Sequence, residues 1–267
     1  MTGKNQLLKS ESDTYLHLAS GSQMIGKVLS SAIRLWLRSQ VEAVAVLDFQ
    51  IEGRDRQILQ GIIPHVVVRA EQVVYQGLHL DRLHLSATQI RINLGQVLQG
   101  KPLRLLQVVP VQGEVNLTQA DLEASLAAPL LKQALAEILQ RILQQAPSTE
   151  FPDLALLQTA PIQLQQPQLW LQSNRLCLMT EVSTISEQRW QISLNTMLQL
   201  VQPSCLQLTE LELQYAAIDP TAGIQTSPTL LQERDLEIDL GPEVNLQQLQ
   251  IETTGITCRG QINVVPG

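Results

Sequence analysis

The fold turns on two consecutive stretches, SQMIGKVLSSAIRLWLRS (residues 22–39) and VEAVAVLDFQIE (residues 41–52). In the first, Met24, Ile25, Val28, Leu29, Ala32, Ile33 and Trp36 return at helical spacing, with Lys27, Ser30, Ser31, Arg34 and Arg38 on the other side. Ser22 has the side chain of an N-cap, and Arg38 complements the negative end of the helix dipole. The second stretch alternates with period two: Val41, Ala43, Ala45, Leu47, Phe49 and Ile51 form one apolar face. The opposite face, Glu42, Val44, Val46, Asp48 and Gln50, is polar only at its ends, so the middle of this strand expects cover on both sides. A basic amphipathic helix beside such a strand predicts a helix laid across a sheet.

Beyond this strand, Gly53-Arg54-Asp55-Arg56 reads as a turn, and Gly61 and Pro64 punctuate the next stretch. Residues 65–74 and 78–94 read as two further strands around a turn at Gln76-Gly77. In the second of them the apolar phase slips at Asp81-Arg82 and again at Thr88-Gln89, which predicts bulges or bends of the kind that curl a sheet. A curled sheet facing a helix encloses an elongated apolar trough. Residues 95–102 read as a short helix or turn, and 103–117 as a strand with Val109, Val111, Gly113, Val115 and Leu117 in phase. Thr118 and Asp121 have the spacing of a capping box, opening a second amphipathic helix from Leu122 to Gln145 that Pro129 kinks or splits.

The expected class is therefore α+β: a long curved antiparallel sheet wrapped around amphipathic helices, with an elongated apolar cavity. Residues 1–20 read as a tail, 21–145 as a helix–sheet–helix unit and 146–152 as a linker. Residues 153–267 read as a mostly β half that packs with the first to complete the fold.

Composition narrows the function by exclusion. Aromatic residues are 3% of a chain that is 44% hydrophobic, so the interior is aliphatic, which suits an acyl ligand and a plain leucine core equally. The net charge of −7 conceals a split: residues 1–104 hold 12 Lys and Arg against 8 Asp and Glu, and residues 105–267 hold 6 against 17. Such a split can orient a molecule against an anionic leaflet. Three scattered cysteines, Cys177, Cys205 and Cys258, form no paired pattern and point to a reducing compartment. No secretory signal and no apolar run of about 20 residues is visible, so a cytoplasmic chain, free or peripherally membrane-associated, is expected.

No catalytic or metal pattern stands out: there is no nucleophile elbow, phosphate-binding glycine loop, zinc-protease motif or cysteine pair. His79 and His84 flank Asp81, but two histidines on a bending strand more often face solvent than ligate a metal. Sparse aromatics and dispersed cations disfavour nucleic acid. The reading is a non-enzymatic binding protein with no cofactor and no metal.

The early helix and its strand, Ile58-Leu59-Gln60-Gly61-Ile62, Val66-Val67-Val68-Arg69-Ala70, the Gly77-Leu78 turn and Leu117-Thr118-Gln119-Ala120-Asp121-Leu122 together resemble the LmeA-like phospholipid-binding family over residues 21–145. The resemblance implies a sheet wrapping long helices around an apolar cavity, as in lipid-transfer proteins of the TULIP type, and phospholipid binding rather than turnover. On that reading Met24, Ile25, Val28, Leu29, Ile33, Trp36, Leu47 and Phe49 contact acyl chains. Lys27, Arg34, Arg38, Arg54 and Arg56 would meet anionic headgroups at a membrane surface. The partners expected are a phospholipid or other acyl lipid and an anionic membrane. The competing expectation is a β-rich structural or protein-interaction module whose apolar faces close on themselves.

Overall fold

Alternating apolar residues dominate the chain, and the computed structural model resolves them into two antiparallel sheets. It describes residues 26–53, 55–145, 155–183, 188–219, 223–224, 229–233 and 235–266. The expected tail at 1–20, Ser22 as expected N-cap, Met24, Ile25, Arg54 and the expected linker at 146–152 lie outside the described residues.

The chain opens on helix α1 (26–39) and runs through β1 (Ala43–Glu52), α2 (Asp55–Leu59), β2 (Ile62–Tyr75), β3 (Leu78–Arg91), α3 (Leu94–Val97) and β4 (Val109–Thr118). Helices α4 (Gln119–Ser125), α5 (Pro129–Gln145) and α6 (Ala155–Thr159) come next. Strands β5 (Gln163–Gln172), β6 (Arg175–Ser183), β7 (Arg189–Gln202) and β8 (Cys205–Asp219) form a second meander. The chain then adds β9 (Gly223–Ile224), β10 (Thr229–Glu233), β11 (Leu236–Asp239), β12 (Val244–Glu252) and β13 (Gly255–Val264). The first sheet has the order β1-β2-β3-β4-β13-β12, and the second β10-β8-β7-β6-β5 with β9 and β11 also on β8. Neither order closes on itself into a barrel among the described residues. Each sheet is thus built the same way, from a helix followed by a four-strand meander, and then extended by strands from the end of the chain.

Local chemistry explains the boundaries. The capping box forms: the Asp121 backbone N–H donates to Thr118 Oγ1 at 3.1 Å and the Thr118 N–H donates to Asp121 Oδ2 at 2.8 Å. Pro129 opens α5 as its first residue, where the missing N–H costs nothing, so the expected long helix is two helices. Of the turn expected at 53–56, Asp55 and Arg56 instead open α2, and the strand expected from Leu103 begins only at Val109. There Asn93 holds residues 102–104 by side-chain bonds that compete with a ladder.

The phase slips in β3 coincide with breaks in its ladder to β2. Pairing passes from Ile63↔Ile90 to His65↔Thr88, skipping Pro64 and Gln89, and from Glu71↔Arg82 to Val73↔Leu80, skipping Gln72 and Asp81. Gln89 and Gln72 sit in the left-handed region at φ 54° and 50°. Pro64 has no N–H to give, so an interrupted rung is where a central strand can hold it.

Two cores result. In one, Leu29 and Ile33 of α1 seat on Leu47, Val66, Val68 and Ala87 of the first sheet. In the other, Leu139, Ile142 and Leu143 of α5 are buried with Trp190, Ile192 and Leu213 of the second sheet, and Leu122 of α4 and Ile251 of β12 join them. The sheets meet along β12. The Leu246 N–H donates to the Pro203 carbonyl at 2.6 Å and the Asn174 N–H to the Ile251 carbonyl at 3.1 Å, so hairpin tips of the second sheet cover the edge of the first. The Gln119 side chain adds a peptide-like pair, donating to the Leu169 carbonyl at 2.7 Å and accepting from the Leu171 N–H at 3.0 Å.

Candidate lipid-binding surface

Helix α1 divides its residues three ways. Leu29 and Ile33 point into the sheet and are buried, with Ala32, Trp36 and Leu37 half-buried around them. Lys27, Arg34 and Arg38 form a cationic line on the outer face. Between the two runs an exposed apolar flank, Val28 and Leu35, the latter 73% exposed. Val28, expected at an acyl chain, therefore faces solvent in this structure. Leu47 joins the buried floor beneath α1, and Phe49 lies half-buried with the Arg34 guanidinium 5.4 Å from its ring centre. That geometry is a cation–π contact between the helix and the strand.

The outer face of α1 carries a hollow of about 830 Å³ lined by Gly26, Lys27, Ser30, Ser31, Arg34, Leu35 and Arg38. These described residues all belong to one helix, whose single face cannot enclose a volume, so the hollow is an open cationic surface. The structure brings Lys27, Arg34 and Arg38 together there. Arg56 stands apart on α2, at the end of the sheet, and Arg54 lies outside the described residues.

A second apolar area is not legible in the sequence alone. On β4 and β13 the pairs Val109↔Val264, Val111↔Ile262, Gly113↔Gly260 and Val115↔Cys258 share one face. On β12, Val244 pairs with Ile262 and Leu246 with Gly260. Val115, Cys258, Ile262, Val264, Val244 and Leu246 belong to neither buried cluster, and Ile262 is 46% exposed. Two facing glycines lower the middle of this strip. Leu85 leans over one of them, where an added Cβ on Gly113 would come within 2.8 Å of its Cδ2. The alternation of both strands was legible, but their adjacency joins residues about 150 positions apart. Burial pushes the Cys258 thiol up from its ordinary range, as an apolar surrounding demands.

The opposite face of the same strands is polar. Glu114 stands between His84 and Arg259 across the ladder and accepts a 2.7 Å bond from Arg259 Nε. That bond, opposed by desolvation and aided to a smaller degree by Asn116, holds the Glu114 carboxyl below its usual range. His79 is tied to α4 through its backbone N–H, which donates to Ser125 Oγ at 2.8 Å. Among the described residues no three His, Cys, Asp or Glu side chains gather as a metal site, and no helix is long and apolar enough to cross a membrane.

No curated protein and no solved structure matches the chain significantly. Residues 21–261 match the family described as LmeA-like phospholipid-binding, which extends the resemblance from the first unit through β12 and most of β13. The strands that complete the first sheet from the far end of the chain thus lie inside the match, and the protein belongs to the LmeA-like phospholipid-binding family.

Proposed function

We propose that the protein holds a phospholipid non-enzymatically, with the acyl chains along the apolar strip of β4, β13 and β12, and exchanges it at the cytoplasmic face of a membrane. The observation that carries this is the strip itself: an aliphatic face on three adjoining strands whose Val115, Cys258, Ile262, Val264, Val244 and Leu246 belong to neither helix-covered core, in a chain of a phospholipid-binding family. Each CH₂ laid on it contributes about 0.8 kcal/mol, so roughly ten buried methylenes supply a micromolar affinity. On the β1 side of the same sheet, Trp36 of α1 and Phe49 of β1 are half-buried and remain open to contact. Leu29, Ile33 and Leu47 support them from beneath. The cationic line Lys27, Arg34 and Arg38 is assigned to an anionic headgroup on charge grounds. Three unpaired cysteines favour the cytoplasmic side.

Native mass spectrometry of the full chain purified from cells tests this reading. A mass excess equal to one phospholipid is expected. Val115→Asp with Ile262→Asp should lose it, because charges on the strip cannot be desolvated by an acyl chain. A lipid-free protein, or lipid retained in that variant with an unchanged melt, overturns the proposal. The lipid-free result favours the interaction-module alternative.

A further inference from the structure

Between Asp81 and Glu114 the sequence has no carboxylate, yet it carries Arg82, Arg91, Lys101 and Arg104. The middle of that acid-free run, residues 92–108, forms an ordered loop at the end of the first sheet remote from α4. Strands β3 and β13 finish at this end while β2, β4 and β12 begin there. Asn93 is the clasp. Its Nδ2 donates to the Pro102 carbonyl at 3.0 Å and to Gln96 Oε1 at 3.1 Å, and its Oδ1 accepts from the Arg104 N–H at 2.7 Å. The Leu106 N–H donates to the Arg91 carbonyl at 2.9 Å, and the Ile92 N–H to the Gly61 carbonyl at 2.9 Å, which ties the loop to the turn after α2. Leu94, Val97 and Leu103 are buried and anchor it from below.

With backbone and anchors so fixed, the remaining apolar side chains are held outward. Leu98, Leu106 and Val108 are 46%, 60% and 47% exposed, and Leu59 of α2, beside the same turn, is 50% exposed. Arg91, Lys101 and Arg104 are exposed among them and none is in an ion pair with a described residue. Of the acidic residues next to this rim in the fold, Glu52 is bound to His65 at 3.1 Å, Asp55 is the first residue of α2 and Glu243 precedes β12.

We infer that this loop is a docking tip for an anionic bilayer. Protruding leucines between unpaired cations suit the boundary between headgroups and acyl chains, where each group finds its own solvent. A partner protein would bury such cations only against matching carboxylates, whereas an anionic leaflet supplies phosphates everywhere. The inference rests on the lipid-binding reading in taking the membrane as the place of exchange, and it places contact on the sheet rim rather than on the cationic face of α1.

The test is co-sedimentation of the full chain with vesicles of pure phosphatidylcholine and of phosphatidylcholine carrying about one-third phosphatidylglycerol. The wild-type chain should sediment with the anionic vesicles only, and less as salt rises. Lys101→Glu with Arg104→Glu should weaken that binding on the order of thirtyfold. Leu98→Ser with Leu106→Ser should weaken it about tenfold while leaving its salt dependence in place. Lys132→Glu with Arg189→Glu, exposed cations on α5 and β7, should leave it within about twofold. The altered side chains are exposed, and thermal melts verify that the fold is kept. Failure of the wild-type chain to bind, equal binding to neutral vesicles, unchanged binding in both loop variants, or an equal loss in the α5–β7 variant overturns the docking tip. Lipid retention in native mass spectra is read separately. A loop variant that keeps its lipid but loses vesicles supports the tip, and a lipid-free chain that still binds anionic vesicles through the loop removes only the lipid-holding reading.

Discussion

Glu114 is the residue whose chemistry most depends on its neighbours. Arg259 faces it from β13, His84 from β3, and Asn116 lies two positions along its own strand. Because its carboxyl is held below the usual range, the stability it contributes is present above the unfolded-state value and is lost as pH falls through the folded-state one. Replacing Arg259 by Met should move the Glu114 titration upward, towards an ordinary glutamate, as read from its side-chain carboxyl carbon by NMR. An unmoved titration would mean that the Arg259 bond does not form in solution. The pairing has no local signature, since 145 residues separate the partners. At the same scale Pro64 illustrates the reverse. A proline in a central strand reads as punctuation, yet the broken rung opposite Gln89 accommodates it without ending the strand.

Helices and strands were mostly legible because their burial follows their period. In α5, Leu135, Leu139, Ile142 and Leu143 return at helical spacing and are the buried positions. Leu139 is fully buried, so Leu139→Ala should cost about 2–5 kcal/mol in chemical denaturation. Leu35→Ala, on the exposed flank of α1, should stay within about 0.5 kcal/mol. Similar losses for the two would contradict the assigned faces. What the period could not supply was the loop at 103–108, expected as the opening of a strand. Its residues alternate as a strand does, but the Asn93 side chain takes the groups that a neighbouring strand would have used. The short strands β9 and β10 and helix α6 were not legible either, because two to five residues carry too little pattern to declare a period.

At the scale of the whole molecule, the first sheet is finished by the last strands of the chain. Strand β13 pairs with β4 along its entire length, from Gly255↔Thr118 to Val264↔Val109. A chain ending at Leu240 would leave β4 as a bare edge with its apolar face half-open, so such a fragment should aggregate rather than give a monomer with a cooperative melt. Size-exclusion chromatography and thermal unfolding would decide this, and a monodisperse, cooperatively melting fragment would show that the first four strands suffice. By itself the sequence determined the antiparallel β character, the two amphipathic helices, the capping box, the ladder breaks in β3 and the family, since each depends on neighbours within a few residues or on a pattern spread along the chain. Only the tertiary structure decided where the uncovered apolar strip lies, that the Val28 flank of α1 faces water, and that cations and leucines share one rim. Those depend on which strands become neighbours, and the hydrogen-bonded ladder from β4 to β13 sets that without leaving a local trace.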